Sequence, residues 1–405
     1  MNTNRKNKEL ALIIVLGLLT ALGPLSIDLY LPAFQQIARE LQTDVATIAY
    51  SLSSFFVGLA VGQMIYGPLL ERFGRKRPMY VGLVIYAIAS LGCAMAVSVE
   101  QLILFRFLQA LGSCAGLVAS RAIIRDLFEG KKMAQVFSSL IMVVAISPII
   151  APTVGGLLST YSGWQSVFII LVGLAMVILT GAIIILPETK QPDVNYSLNL
   201  SKILGNYLSI IKHPVFFVNA FTGAIAYAGL YAYISGSPHL YMELLGLNEQ
   251  QYGWIFAIIA TGLISATQVN NRLLQRTTSE RIILVSLFAH SGMGILLLAI
   301  TLVGITGIII DTALIFGFLL FIGFILPNAS ALSLGPMGHT AGSASALMGA
   351  IQMSVGAGGS FMVGLFQSET AIPMALVMAF CGSASLGLFY FGNKWLEGKM
   401  MVQSV

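Results

Sequence analysis

Two ionisable residues stand where an apolar sequence has little room for them. Asp28 lies in Pro24-Leu25-Ser26-Ile27-Asp28-Leu29-Tyr30-Leu31-Pro32, at the end of an uncharged run that starts at Leu10, and Arg106 is the one charge between Glu100 and Arg121. Charged side chains in membrane-length apolar runs are costly, so they face a bundle interior or a wet cavity and mark proton or substrate paths. Pro24 and Pro32 flank Asp28 at four residues on either side. Each removes a backbone donor, which loosens the helix where a carboxylate could face a cavity and load and release a proton. The other reading is an acid at headgroup level that caps the next helix. Around Arg106, the residues Arg106, Gln109, Ser113, Gly116 and Ser120 follow one another at three or four positions. That spacing makes one polar or small stripe toward the bundle interior, with Leu104, Phe107, Leu108 and Leu111 facing elsewhere. An arginine bound to backbone carbonyls for structural reasons is the alternative.

The second half of the chain offers aromatic, amide and hydroxyl groups instead: Asn219, Tyr227, Tyr231, Tyr233, Gln268, Asn270, Asn328 and Gln352. It is expected to bury no Asp, Glu, Lys or Arg in a span, and His290 is expected to be a packed neutral imidazole. Tyr227 and Tyr231 are about one helical turn apart, as a substrate-facing pair or as part of an interfacial aromatic belt. The candidate substrate cavity comprises Tyr30, Gln109, Ser113, Asn219, Tyr227, Tyr231 and Gln352, and the contrast between an ionisable half and an aromatic half suits a moderately apolar ligand.

Enzyme chemistry has no foothold. Gly356-Ala357-Gly358-Gly359 lacks a following Gly-Lys-Ser/Thr, so it is no phosphate-binding loop, and the four histidines are scattered with no HExxH. Cys93, Cys114 and Cys381 form no CxxC pair, which gives neither a disulfide framework nor a cysteine metal site. No catalytic residue, metal or cofactor is expected. A pore would need a charged ring or repeated filter sequence, and none occurs.

The elements that must position these residues follow from composition. Charged residues make up 9% of the 405 residues, against roughly 25% in soluble domains, and mean hydropathy is +0.89. The expected class is an all-α membrane protein. A net charge of +5 records loops facing anionic lipid rather than a nucleic-acid partner, since no basic face with interleaved aromatics appears. Cutting at charges, prolines and glycine clusters gives twelve spans, near 10–30, 45–70, 78–99, 101–124, 133–157, 165–186, 214–238, 250–271, 282–304, 312–334, 342–366 and 370–393. Gly155-Gly156 and Gly163-Trp164 supply the break inside the uncharged run Met133 to Pro187, and Gly335-Pro336 supplies a later one.

Charge placement sets the orientation. With both termini cytoplasmic, the inside loops hold nearly all the loop Lys and Arg, and the outside loops hold only Arg39. Arg106 then lies in the outer half of span 4, at a depth comparable with Asp28, so the two are expected to share a cavity and couple electrostatically. Arg121, Arg125 and Asp126 close span 4 at the inner surface as snorkelling side chains or a surface ion pair. Residues 1–186 form one six-helix half and residues 214–405 the other. The segment 187–213 is a cytoplasmic linker whose Leu200, Ile203, Leu204, Tyr207, Leu208 and Ile211 recur at helical spacing, as in an interfacial helix; a flexible linker is the alternative.

Between spans 2 and 3, Gly67-Pro68-Leu69-Leu70-Glu71-Arg72-Phe73-Gly74-Arg75-Lys76-Arg77 packs five charges into seven residues. This stretch resembles the loop signature of the major facilitator superfamily, G-x-L-a-D-r-x-G-r-k, through Gly67, Leu69, Arg72, Gly74, Arg75 and Lys76, with Glu71 in place of Asp. Span 4 is similar to the R-x-x-q-G-x-g pattern through Arg106, Gln109 and Gly112, with Ala110 where a Gly can stand. Span 5 resembles the antiporter motif g-x-x-x-G-P-x-x-G-G through Pro152, Gly155 and Gly156, with Ser147 and Ala151 replacing two glycines. The segments Pro24 to Pro32, Arg125-Asp126, Ser235-Gly236-Ser237-Pro238 and Gly342-Ser343-Ala344-Ser345-Ala346 look like the Bcr/CflA branch of drug:proton antiporters, which includes bicyclomycin and chloramphenicol/florfenicol exporters.

That resemblance implies the major facilitator fold, with the two six-helix halves related by a pseudo-twofold axis along the membrane normal. It implies a monomer in a bacterial inner membrane that exports small, mostly apolar drug-like compounds by alternating access as protons enter. Asp28 would carry the proton with Arg106 as its electrostatic partner, and Pro152, Gly155 and Gly156 would restrict leakage. Gly67, Glu71, Arg72, Gly74, Arg75 and Lys76 would form a gate, in which Gly67 allows close helix approach and Glu71 meets arginines or the amino end of span 11. A proton-linked transporter of a normal metabolite is the competing function.

Overall fold

Proline and glycine mark several of the places where the helices of this chain stop. A computed structural model describes residues 2–128, 130–193, 198–366 and 370–403. The first helix, α1 (Asn2–Asp28), passes through Pro24 and ends on Asp28. The chain then unwinds through Leu29 and Tyr30 into a 3₁₀ turn, Leu31–Ala33, with Pro32 in its first positions, and restarts as α2 (Phe34–Glu40). Proline fits a helix start because the donor it lacks has no partner there anyway. Helices α3 (Val45–Phe73), α4 (Lys76–Ala94), α5 (Val99–Leu127), α6 (Gly130–Ser162) and α7 (Gln165–Ile185) follow, then α8 (Leu200–Ile211), α9 (Pro214–Pro238), α10 (Glu249–Leu273), α11 (Ser279–Leu302), α12 (Ile308–Leu334), α13 (Ala341–Leu365) and α14 (Ile372–Gln403). No strand occurs among the described residues.

Among the described residues, eleven segments are long and apolar enough to cross a membrane. The fifth expected span is supplied by α6, which runs thirty-three residues with no charge from Met133 to its end. One expected break moves: α6 continues through Gly155-Gly156 and stops at Ser162, and the chain reverses at Gly163, whose φ of +76° lies in the region glycine alone enters freely. The later break falls at Gly335, where α12 gives way to a 3₁₀ segment, Gly335–Thr340. Large apolar side chains point outward, among them Ile184, Phe380 and Phe391, which are 75%, 68% and 69% exposed. In water such a surface would aggregate, whereas in a bilayer it is the lipid-facing side.

The helices gather into two compact units, Met1–Asp44 with Ser54–Asn199, and Val45–Ser53 with Leu200–Val405. The first nine residues of α3 thus pack with the second unit. In the first unit α4 packs on α5 and α7, and α1 lies against α5, α6 and α7. In the second, α9 packs on α13 and α14, α11 on α12 and α14, and α10 on α12, with Ala226, Ile283, Leu287, Ile325, Ala329 and Phe389 in one buried cluster. Helix α8 buries Tyr207 and Ile210 beside α9 and α13 and leaves Leu204 and Leu208 exposed.

Candidate functional site

The proton-site candidates meet at the unwound end of α1. Asp28 is 5% exposed, and the Ser147 hydroxyl of α6 donates to its Oδ2 at 2.8 Å. Helix α6 can come this close because residue 155 is glycine: a Cβ there would lie 2.2 Å from the carbonyl oxygen of Leu29. Below it, the carbonyls of Gly155 and Gly156 accept the hydroxyls of Ser159 and Thr160. Pro148 and Pro152 stay inside the continuous helix, both between Ser147, which faces Asp28, and Gly155, which faces Leu29. From the other end, α2 is pinned by Glu40, which accepts Trp164 Nε1 at 2.7 Å and Gln165 Nε2 at 3.1 Å.

Arg106 reaches the same segment from α5. Its side chain is fully buried, and Nη1 donates to the carbonyl of Ser26 at 3.1 Å and to Gln109 Oε1 at 2.6 Å. Gln109 passes the chain on through Nε2 to Ser90 Oγ at 2.8 Å, and Ser26 Oγ meets Tyr86 OH at 2.6 Å. The guanidinium carbon lies 4.2 Å from the ring centre of Phe55, 4.5 Å from that of Tyr30 and 5.9 Å from that of Phe168. Aromatic faces attract a cation and replace part of its lost hydration. Helix α5 approaches α4 at Gly112, where a Cβ would sit 2.5 Å from the backbone nitrogen of Tyr86. The expected stripe is buried as a whole: Arg106, Gln109, Ser113, Gly116 and Ser120 all face inward, and Leu104 is 56% exposed.

Two expectations change here. Asp28 and Arg106, expected to share a cavity and couple electrostatically, form no ion pair: the Asp28 carboxylate takes the Ser147 hydroxyl of α6, while Arg106 binds the Ser26 carbonyl of α1 and lies among aromatic rings. Tyr30, Gln109 and Ser113 are all packed rather than open to a cavity, because Tyr30 covers the guanidinium, Gln109 relays it to Ser90, and Ser113 donates to the carbonyl of Ala110. Sequence periodicity places these residues on the inner face and cannot tell a lining position from a packed one.

In the second unit, Tyr227 and Tyr231 pack edge to face with ring centres 5.0 Å apart, and the Tyr231 hydroxyl lies 3.2 Å from Met353 Sδ. The Tyr231 ring occupies the space over Gly356, where a Cβ would be 2.1 Å from Cδ2. The glycine-rich run is therefore a seat for an aromatic ring. Gln352 is half-buried, and Asn219 is buried with Nδ2 on the carbonyl of Val215 and Oδ1 unpartnered. His290 is fully buried, with Nδ1 at 2.9 Å from the Phe318 carbonyl oxygen and its ring tilted 32° against that of Phe318, centres 3.8 Å apart. Asn328 donates to Asn270 at 2.7 Å, joining α10 to α12. The expectation that this half buries no Asp, Glu, Lys or Arg in a span is overturned by Asp311, one residue before the expected span 312–334 and 1% exposed in the first turn of α12, where Oδ2 accepts the backbone N–H of Gly307. Cutting spans at charges hid it, since the helix starts three residues before the acid and uses it to satisfy a terminal donor.

The loop between α3 and α4 is a closed charge network. Gly74 has φ +82°, and after it Arg75, only 3% exposed, donates from Nε to Asp126 Oδ2 and from Nη1 to Glu71 Oε1, both at 2.9 Å, and to the carbonyl of Leu70 at 3.2 Å. Lys190 pairs with Glu71, and the Thr189 hydroxyl donates to Asp126. Glu188 accepts the backbone N–H groups of Arg75 at 2.7 Å and Lys76 at 3.1 Å, capping the positive end of α4. Lys76 Nζ reaches the carbonyl of Leu186, and Arg72 that of Asp193. Gly67 differs from its expected role: nothing lies within 4 Å of where its Cβ would be. Sequence reasoning found Glu71 and its arginine but missed Glu188, Thr189 and Lys190, which follow α7 by chain and return to the loop only through folding.

The profile of the Major Facilitator Superfamily matches residues 16–362. The chain belongs to this superfamily. A Bacillus subtilis (strain 168) protein described as an uncharacterized MFS-type transporter, YdgK, is 32% identical over 394 residues, covering 96% of this chain and 97% of its own. A bicyclomycin resistance protein homolog of Haemophilus influenzae is 28% identical over 393 residues, covering 96% and 97%. A chloramphenicol resistance protein of Pseudomonas aeruginosa is 27% identical over 400 residues, covering 93% and 90%. The crystal structure of a mutant of the nucleoside transporter NupG superposes with a TM-score of 0.74 at 14% identity, over 96% of this chain and 99% of that one, which shows a shared fold. This major facilitator is thus a multi-pass membrane transporter and not an enzyme.

In this major facilitator the fork at Arg75 holds the α3–α4 loop to α5. Arg75→Ala should lower stability by about 2 kcal/mol, below the 3–5 kcal/mol of a fully buried pair because Glu71 and Asp126 keep Lys190 and Thr189 as partners. Arg75→Lys should recover only part of that, since an ammonium cannot bridge both carboxylates as a planar guanidinium does. Thermal unfolding of the purified protein in detergent measures both.

Proposed function

We propose that this protein is a proton-coupled exporter of small, mostly apolar drug-like compounds, working by alternating access in a bacterial inner membrane as a monomer with both termini cytoplasmic. The observation that carries the reading is the Asp28 carboxylate, buried at the end of α1 and held by a hydroxyl instead of a cation. A buried acid with no fixed counter-charge is suited to exchanging a proton in each cycle. The names of the Haemophilus and Pseudomonas relatives, which concern resistance to bicyclomycin and chloramphenicol, support export of drugs.

In this reading a proton reaches Asp28 from outside and leaves it inside while substrate moves outward. Arg106 supplies the fixed positive field beside the α1 segment, and Pro152, Gly155 and Gly156 keep α6 closed on α1 against leakage. Tyr227, Tyr231, Asn219 and Gln352 contribute the aromatic and amide side of the substrate site, and Tyr30, Gln109 and Ser113 join it in states where α1 and α5 open. Residues 1–186 and 214–405 act as the moving halves, 187–213 as the linker, and the loop from Gly67 to Lys76 as the gate.

A compound-panel efflux assay in a pump-deficient host, with and without a protonophore, tests this. Export of several apolar compounds that stops when the proton gradient is collapsed is the expected result. Export that persists without the gradient would remove proton coupling, and a single exported metabolite with no drugs would favour the metabolite transporter.

A further inference from the structure

We infer that Ser147 is a positioning residue that ties Asp28 to α6, so that the protonation state of the acid is felt by the helix carrying Pro152, Gly155 and Gly156. This rests on the reading of Asp28 as the proton carrier. Ser147 is 3% exposed and donates to Asp28 Oδ2 at 2.8 Å, and it is the hydroxyl that stands where the antiporter pattern has glycine. One residue past the end of α1, Gly155 admits the carbonyl of Leu29 and brings α6 close beside the contact. A hydrogen bond to an ionised acceptor is roughly twice as strong as one between neutral groups. Gain of a proton at Asp28 therefore weakens the grip on α6 at one defined point, and loss of the proton restores it.

Among the described residues no ion pair forms at Asp28, and Arg106, which reaches the same segment, leaves Nε and Nη2 without a hydrogen-bond partner. From α5, Arg106 spends Nη1 on Ser26 and Gln109, and its guanidinium is covered by Tyr30, Phe55 and Phe168. From α4, the Tyr86 hydroxyl is on Ser26 Oγ. Helix α6 carries no charged residue after Lys132, and α7 has none at all.

Infrared titration of the full-length protein, reconstituted in phosphatidylethanolamine–phosphatidylglycerol vesicles, reads the acid directly and needs no transported ligand. A protonated-carboxyl band that is missing in Asp28→Asn identifies the group. Ser147→Ala should displace the midpoint of that band by about one pH unit and shift its frequency, because one donor to the carboxylate is gone. Ser147→Thr keeps the hydroxyl and should keep both values, and Ser147→Ala in the Asp28→Asn background should change nothing further in this spectral region. A Ser147→Ala band with the parental midpoint and frequency overturns the inference and leaves Asp28 as carrier. If no band depends on Asp28, the carrier role itself fails, and this inference fails with it.

Discussion

Asp28→Asn should bring proton-driven efflux down to the level of cells without the transporter, a loss on the order of 100-fold, as expected when a positioned proton-transfer group is removed. The amide has nearly the same shape as the carboxyl and still offers an oxygen to the Ser147 hydroxyl, so the turn at Leu29 and the contact with Gly155 are kept. Only the titrating proton is gone. Substrate binding to the purified variant, and exchange of labelled for unlabelled substrate across vesicles, should therefore survive. Efflux against a gradient and counterflow, measured on the same preparation, separate the two steps. Full efflux by Asp28→Asn would sink the assignment of this residue.

Arg106→Lys should be nearly as damaging to transport and more damaging to the fold. The guanidinium uses one nitrogen for two acceptors, the Ser26 carbonyl and Gln109, while its flat face lies near the rings of Phe55 and Tyr30. A lysine ammonium is a compact, strongly hydrated charge that cannot stack and would be left buried with fewer donors in place. Losing a desolvated cation–π contact is worth about 2 kcal/mol, and an unsatisfied buried acceptor costs about 1–3 kcal/mol. A fall of about 3 kcal/mol is expected in denaturation followed in detergent, with transport reduced at least in proportion to the folded protein lost. A lysine variant with parental stability would mean that charge alone matters at this position.

The contrast between these two residues shows how far a sequence can be read. Both were identifiable as functional candidates because each interrupts an apolar run, and their approximate depth followed from the charge bias of the loops. Their relation was not. Periodicity put Arg106 on the inner face of α5, yet whether it meets a carboxylate, a carbonyl or an aromatic ring depends on the rotation of α1, α3 and α7 around it. The substitution of Ser147 for a motif glycine reads as a weakened motif in sequence and as the hydrogen-bond donor to Asp28 in the structure. Asp311 was lost for the opposite reason: a charge was used to mark the end of a span, and it turned out to cap the helix that begins there.

By itself, then, the sequence determined the class, the number and order of the long helices, and the two charges that apolar surroundings single out, but not every break, since α6 runs on through Gly155-Gly156 to Ser162. These are local or additive properties, since burial in lipid demands about 20 apolar residues per crossing and full internal hydrogen bonding whatever the neighbours are. Only the tertiary structure decided that Asp28 leans on α6, that Arg106 is boxed by rings, that a Cβ at Gly67 would meet open space while one at Gly155 would collide with Leu29, and that Glu188, Thr189 and Lys190 close the charged loop. Each depends on a contact between residues far apart in the chain, fixed by the crossing of helices at a few ångströms' tolerance, and no periodicity along a single helix carries that information.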